Sequence, residues 1–370
     1  METSAKIENI CMPEEMNAAV LHGKEDLRIE RLPVPHAGEG EIVVRVQSVL
    51  TCGTDLKVYR RGYHAKMLQP PISFGHELAG KVSEVGAGVT GFDVGDPVVP
   101  LNSAPCGKCY FCQHRQENLC DDLLFNNGAY AEYILIPARI VEKNTLHVPE
   151  RVPLEHAAMT EPLACVLHGM DEIGAQAGDQ IVVIGAGPIG LMFVHLAALM
   201  GIEVISVVKR AEQVALAHSL GARHVVQTTE TDDVIAAVRA LTPQGRGADA
   251  VIEAVALPET WQWAVDMVRK GGVVNFFGGC AAETTVALDT NRLHYSNLTL
   301  CSSFHHRPSV CRRAFEWIAS GQFACEKFLT GRAPLEELVS ALEQLMRRTN
   351  DIKTVILPTV DFPVKAAYER

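Results

Sequence analysis

The stretch Asp179-Gln-Ile-Val-Val-Ile184 followed by Gly185-Ala-Gly-Pro-Ile-Gly190 decides how this chain folds. Residues 180–184 read as a buried strand. A helix pattern begins at 188 and runs to 200. Between them the glycines keep a G-x-G-x-x-G spacing, which gains meaning only in this strand-to-helix setting. Gly185 permits a tight turn, Gly187 lets the backbone approach a pyrophosphate, and Gly190 lets the helix pack close on the strand. Pro188 and Ile189 open the helix, whose free N–H groups and positive dipole end suit a phosphate. The run Ile181–Ile202 has only His195 as a strongly polar residue. Its glycines and proline break it, so it reads as strand, turn and buried helix rather than a membrane span.

Outward from this turn the rhythm is regular. Strand patterns at 180–184, 203–208, 223–227, 249–253, 272–277 and 298–302 alternate with helix patterns at 188–200, 211–220, 231–241 and 258–270. Such alternation implies an α/β doubly wound parallel sheet with crossover helices. Upstream, short β-branched runs such as Glu41–Val46 and Gly80–Gly86 imply a β-rich half. Downstream, 308–370 carries two helix patterns and a strand, Thr354–Leu357.

The chain has 370 residues, which suggests about two domains. Its 48% hydrophobic and 21% charged composition excludes a disordered or fibrous protein. Lys and Arg number 33 against 44 Asp and Glu, a net charge of −11, which disfavours nucleic acid and anionic membranes as partners. Residues 1–15 are a polar extension without the basic and apolar regions of a signal peptide, so the expected location is cytoplasmic.

Four of the eleven cysteines, Cys106, Cys109, Cys112 and Cys120, fall in one loop as C-x2-C-x2-C-x7-C. Four thiolates closing on one loop suit a tetrahedral zinc with no open position, a structural site. A ferredoxin-type cluster would continue with a shorter gap and Cys-Pro, whereas Asp121 follows here.

The strand at 203–208 ends Val207-Val208-Lys209-Arg210. A dinucleotide-binding fold that prefers NAD places an acid near its ribose hydroxyls; Val208 stands at that place. Lys209 and Arg210 beside it suit a 2′-phosphate, so NADP is favoured over NAD. A third constellation lies along the chain: Thr51-Cys52-Gly53-Thr54-Asp55, Gly75-His76-Glu77 and Glu161-Pro162-Leu163. Cys, His and Glu are competent zinc ligands, and three of them with one exchangeable position make a catalytic site.

Taken in order, these motifs resemble the zinc-dependent medium-chain alcohol dehydrogenases, in the branch that contains sorbitol and threonine dehydrogenases, from about Met16 to Leu357. The resemblance implies a GroES-like β-rich catalytic domain over 16–165, with a structural-zinc lobe at 102–121. It implies a Rossmann domain over 166–305 and a return to the catalytic domain over 306–370. It implies two zincs per chain, a small-molecule alcohol or ketone as substrate, and a homodimer or homotetramer. Cys52 and His76 are then ligands of the catalytic zinc, with Glu77 and Glu161 competing for the remaining place. Thr54 resembles the family's proton-relay hydroxyl. Many relatives carry His where Lys57 stands, and Lys57 could serve as a base only in surroundings that lower its pKa. Glu253 matches a strand-end acid read as structural, and Ala256 stands where relatives often have Gly. His305 and His306 follow a strand near the expected return point and could face cofactor or substrate.

The expected activity is reversible hydride transfer between a secondary alcohol, as on a polyol, sugar or amino-alcohol, and NAD(P). A catalytically silent zinc- and dinucleotide-binding protein is the alternative. A zinc-free quinone-type reductase of the same fold is disfavoured by the Cys, His and Glu set.

Overall fold

A computed structural model describes residues 12–63, 68–347 and 351–359. Most of the expected N-terminal extension, residues 1–11, lies outside the described residues. The chain divides into two compact units. One comprises the residues up to Cys112, Cys120–Met159 and those from Leu329 onward; the other comprises Gln113–Leu119 and Thr160–Phe328. The sequence reading set the boundaries at 165 and 306. The second unit instead begins with helix Thr160–Ile173, on which helix Pro308–Ala319 packs. Arg313 of the latter pairs with Asp171 of the former at 2.7 Å. Residues 306–328 therefore stay with the second unit.

The first unit is built on strand Ile42–Leu50, whose β-branched residues bury both faces. It pairs antiparallel with Leu78–Val85, Tyr133–Ile136 and Lys353–Leu357. The last of these lies between Ile42–Leu50 and a strand absent from the sequence reading, Leu329–Pro334, which runs parallel to it. Val44, Val46, Val49, Leu78, Val98 and Ile356 fill one continuous core. Burial of side chains such as these contributes about 1.5–3 kcal/mol each.

The second unit holds a six-stranded sheet, parallel throughout. Its order is His224–Gln227, Glu203–Val208, Gln180–Ile184, Ala248–Glu253, Val268–Phe276, Thr299–Cys301. In chain order this is 3-2-1-4-5-6, with the reversal of direction at Gln180–Ile184, where ligands bind in open α/β sheets. The helix expected over 258–270 stops at Met267, because Val268 is already extended and pairs with Ala248.

Glu253 closes its strand as the sequence reading expected of a structural acid. Its Oε1 accepts from the backbone N–H groups of Val255 and Ala256, at 2.8 and 2.9 Å, and from the Thr260 hydroxyl at 2.7 Å. Ala256 sits at φ +74°, a left-handed conformation that glycine adopts at lower cost. The residue that departs from the family habit thus occupies the position that calls for glycine.

His195 is buried on helix Pro188–Leu199. Its Nε2 accepts from the Ala324 N–H at 3.3 Å, which leaves Nδ1–H to donate to the Leu220 carbonyl at 3.2 Å. Burial lowers its proton affinity, against the opposing pull of that carbonyl. The unfolded chain then binds the proton first, so the stability His195 contributes is present above about pH 6.5 and is lost as pH falls below it. In zinc-containing buffer, the melting temperature of the wild type should fall further than that of His195→Gln between about pH 7.5 and pH 5.5. Parallel declines would show that His195 titrates normally.

Candidate active site and metal centres

Strand Ile42–Leu50 ends just before helix Gly53–Arg61, and Cys52 stands between them as the helix N-cap. Its sulfur accepts from the Thr54 N–H at 3.4 Å. His76 and Glu77 precede strand Leu78–Val85, which pairs beside Ile42–Leu50 and so brings them to Cys52. One ligand-competent atom from each of Cys52, His76 and Glu77 lies within 4.8 Å of the others.

His76 is held from behind. Its Nδ1 lies 3.1 Å from Oδ1 of the buried Asp55, and the Tyr130 hydroxyl donates to Asp55 Oδ2 at 2.7 Å. A carboxylate on one ring nitrogen fixes the tautomer and leaves the other as a metal donor. Burial disfavours the charged imidazole, but Asp55 and the Cys52 sulfur outweigh it and raise its proton affinity well above the ordinary value. Gly75 is required by the same arrangement: it has φ +100°, and a Cβ there would stand 2.5 Å from the Tyr130 ring.

Glu77 is fully buried. Its Oε2 pairs with Lys353 Nζ at 2.5 Å, and Lys353 also donates to the Thr51 carbonyl at 3.0 Å. Burial pushes the Glu77 carboxyl up, and Lys353 and then His76 draw it back. Among the described residues, Glu77 Oε1 has no hydrogen-bond partner. An orphaned buried oxygen beside a capped sulfur and an oriented imidazole fits a divalent metal.

The four-cysteine loop fits zinc on geometry. Sγ separations are 3.9 Å for Cys106–Cys112, 3.5 Å for Cys109–Cys112 and 3.8 Å for Cys109–Cys120. A tetrahedron with Zn–S bonds of about 2.3 Å has edges of about 3.8 Å. Backbone N–H groups of Lys108 and Cys109 donate to Cys106, drawing its thiol down to about 6. Burial pushes Cys112 up to about 12.

In the second unit, Gly185 turns at φ +105°. A Cβ on Gly190 would lie 1.9 Å from the Gly185 carbonyl oxygen, so only glycine allows this helix to meet its strand. A Cβ on Gly187 would touch nothing within 4 Å, which leaves open space at a helix N-terminus that no side chain caps. Pro188 and Ile189 form the first helical turn. Gln213 ties the turn to the next strand end: it donates to the Ala186 carbonyl at 2.9 Å and accepts from the Lys209 and Arg210 N–H groups. Val208 is buried at that strand end, Lys209 is exposed and Arg210 half-buried.

Glu161 stands in the first turn of helix Thr160–Ile173, in the second unit. It gathers with His305 and His306, ligand atoms again within 4.8 Å of one another. His306 is fully buried, its Nε2 3.8 Å from Glu161 and its Nδ1 3.2 Å from the Cys311 sulfur. Thr54 is half-buried, and its hydroxyl makes no hydrogen bond among the described residues. Lys57 is exposed on the same helix.

Three contributors escaped the sequence reading. Asp55 was visible within the Cys52 motif but carried no assigned role. Tyr130 and Lys353 lie 75 and 276 residues from their partners. A lysine heading the largely apolar strand pattern Lys353–Leu357 was the available signal.

Comparison with known proteins agrees with this layout. Residues 38–149 match the alcohol dehydrogenase GroES-like domain, and residues 188–320 match the zinc-binding dehydrogenase family. Sorbitol dehydrogenase of Bacillus subtilis is 30% identical over 94% of this chain and 98% of its own length. L-threonine 3-dehydrogenase of Bacillus licheniformis is 32% identical over 91% of this chain and 96% of its own. The crystal structure of a zinc-binding dehydrogenase from Sinorhizobium meliloti 1021, bound to NADP, superposes with a TM-score of 0.85 at 28% identity, covering 94% of this chain and 100% of that one.

Replacing Lys353 alone leaves Glu77 as an uncompensated buried carboxylate. Lys353→Met should therefore cost about 3–5 kcal/mol in urea unfolding. The double variant Glu77→Gln/Lys353→Met should recover much of that loss, and additive losses would show the two residues to be uncoupled.

Proposed function

We propose, for a chain that belongs to the zinc-binding dehydrogenases of the alcohol dehydrogenase family, that Cys52 and His76 hold its catalytic zinc. Glu77 and Glu161 compete for the remaining protein position. The enzyme is a zinc- and NAD(P)-dependent dehydrogenase, and its proposed substrate is a secondary alcohol on a polyol, sugar or amino-alcohol. The observation that carries the assignment is the convergence of the Cys52 sulfur, the Asp55-oriented His76 and the orphaned Glu77 oxygen. The family's relatives named sorbitol and L-threonine 3-dehydrogenase support the substrate class.

When bound, the zinc supplies Lewis acidity toward an alcohol oxygen and NAD(P) supplies the hydride acceptor. The chain's own residues do the rest. Asp55 keeps the His76 proton on Nδ1. Lys353 neutralises one Glu77 oxygen. Thr54 Oγ1, without a hydrogen bond among the described residues, is the proposed first relay of the alcohol proton, passing its own proton on toward solvent as it takes the alcohol's. Lys57 stands exposed three residues on along the same helix, where such a relay would meet solvent. The glycine turn and the N-terminus of helix Pro188–Leu199 are the proposed seat of the cofactor pyrophosphate.

Val208 where an acid would hold the ribose, with Lys209 and Arg210 beside it, supports NADP over NAD. The four-cysteine loop needs reduced thiols, which supports a cytoplasmic location. A homodimer or homotetramer is the assembly the family resemblance implies. No helix among the described residues is long and apolar enough to cross a membrane.

Absorbance at 340 nm, followed with zinc-replete protein, NAD or NADP and a panel of polyols, sugars and amino-alcohols, tests the reading. Cys52→Ser should lower turnover by about 10³-fold, matching the several kcal/mol a Lewis acid supplies, while cofactor binding persists. Unchanged turnover would overturn the metal assignment. Lys209→Ser/Arg210→Ser should weaken NADP about tenfold more than NAD, the scale of a lost charge-assisted contact. An unaltered ratio would overturn the NADP argument.

A further inference from the structure

At the amino-terminal edge of the second unit's sheet lies a concavity of about 330 Å³ that the dehydrogenase reading leaves unused. Arg239, Arg246, Arg269, Lys270 and Arg292 line it, with Ser296. The glycine turn lies at the opposite edge, beyond the carboxyl end of Gln180–Ile184. Strand Ala248–Glu253 runs from one edge to the other, about 16 Å at 3.3 Å per residue. No phosphate of a cofactor seated on the glycine turn spans that distance to reach these residues while its pyrophosphate stays in place.

The guanidinium groups are held largely by backbone carbonyls and are only partly neutralised, by Asp249 and Asp266. Arg239 donates to the carbonyls of Asp266 and Arg246, each at 3.1 Å. Arg292 donates to the Val265 and Asp266 carbonyls, both at 3.0 Å through Nη2. These are the last carbonyls of helix Pro258–Met267, so the two arginines cap its carboxyl end. Arg269 donates to the Lys270 carbonyl at 2.8 Å and pairs with Asp249 at 2.6 Å. Arg246 lies 3.6 Å from the same Asp249 oxygen. Asp266 is the second carboxylate, 3.2 Å from Arg292. Lys270 has no side-chain partner among the described residues and is exposed.

Five cations thus face two carboxylates, in a chain whose net charge is −11. The helix end offsets about half a charge more. Helix capping accounts for Arg239 and Arg292 and explains neither Lys270 nor Arg246. A surplus of more than two positive charges, presented on ordered guanidinium forks around a small-ligand cavity, matches a multiply charged oxyanion. The volume stands at the lower end for small-molecule sites.

We propose that this concavity is a second anion site of the protein, separate from the cofactor turn, and that it takes a phosphate or pyrophosphate group. The argument is independent of the dehydrogenase reading. Titration calorimetry on the full-length, zinc-loaded protein tests it, with NADP saturating so that the cofactor turn is filled. Inorganic phosphate and pyrophosphate are the two probes, at constant ionic strength because screening weakens such sites.

The expected result is one saturable site per chain, with pyrophosphate tighter than phosphate if the ligand is a diphosphate and the two equal if a single phosphoryl group suffices. Arg246→Ala/Lys270→Ala removes two cations that cap no helix, so the fold should persist, as circular dichroism would check. That variant should weaken binding about tenfold or more. Lys209→Ser/Arg210→Ser should leave it unchanged. Absence of saturable binding up to about 10 mM, equal binding by wild type and Arg246→Ala/Lys270→Ala, or loss confined to Lys209→Ser/Arg210→Ser would each overturn the proposal.

Discussion

Two carboxylates are buried in the first unit, and the surrounding structure answers to the cost of placing them there. An isolated buried charge is penalised by several kcal/mol, so each must be met by a donor in fixed position. Asp55 is met by His76 and Tyr130, and Glu77 by Lys353 on one oxygen. The donors arrive from three separate parts of the chain. That requirement fixes the approach of helix Gly53–Arg61, the glycine before His76 and the placement of strand Lys353–Leu357 within the sheet. Among the described residues the second Glu77 oxygen has no donor, and the Cys52 sulfur meets the Thr54 N–H and the His76 imidazole. The orphaned Glu77 oxygen beside the Cys52 sulfur and the His76 imidazole marks the place a metal would complete.

The second unit solves its problem with backbone rather than charge. Its decisive contacts are absences of side chain, at Gly185 and Gly190, where carbonyl and helix meet too closely for a Cβ. Gln213 then couples the turn to the neighbouring strand end through three backbone groups. A site made this way would suit the pyrophosphate shared by all dinucleotides, and on the reading proposed above discrimination among them falls to Val208, Lys209 and Arg210.

Local patterns made much of this legible. The glycine spacing, the four-cysteine spacing and the strand–helix alternation each encode a short-range constraint, and the structure has the parallel sheet that the alternation implied. What escaped was long-range or context-dependent. Lys353 and Tyr130 acquire their roles only when distant strands pair. Helix Pro308–Ala319 stays with the second unit because of packing on Thr160–Ile173, which no local signal records. The helix expected to reach 270 ended at 267 because sheet pairing overrode an amphipathic pattern. Glu161 was legible as a ligand-competent acid, but its neighbours His305, His306 and Cys311 come from far along the chain.

The position of Lys353 also orders events during synthesis. Glu77 and Lys353 are 276 residues apart, and the second unit's sheet and helices are translated between them. At roughly 5–20 residues per second, about 15–55 s separate the emergence of the carboxylate from that of its partner. Throughout that interval strand Ile42–Leu50 lacks one of its neighbours and Glu77 lacks its counter-charge. The continuous stretch from Thr160 to Phe328 is free to fold meanwhile. On the ribosome the domain whose first half is made earliest is therefore completed last, and its edge is what a nascent-chain chaperone would meet.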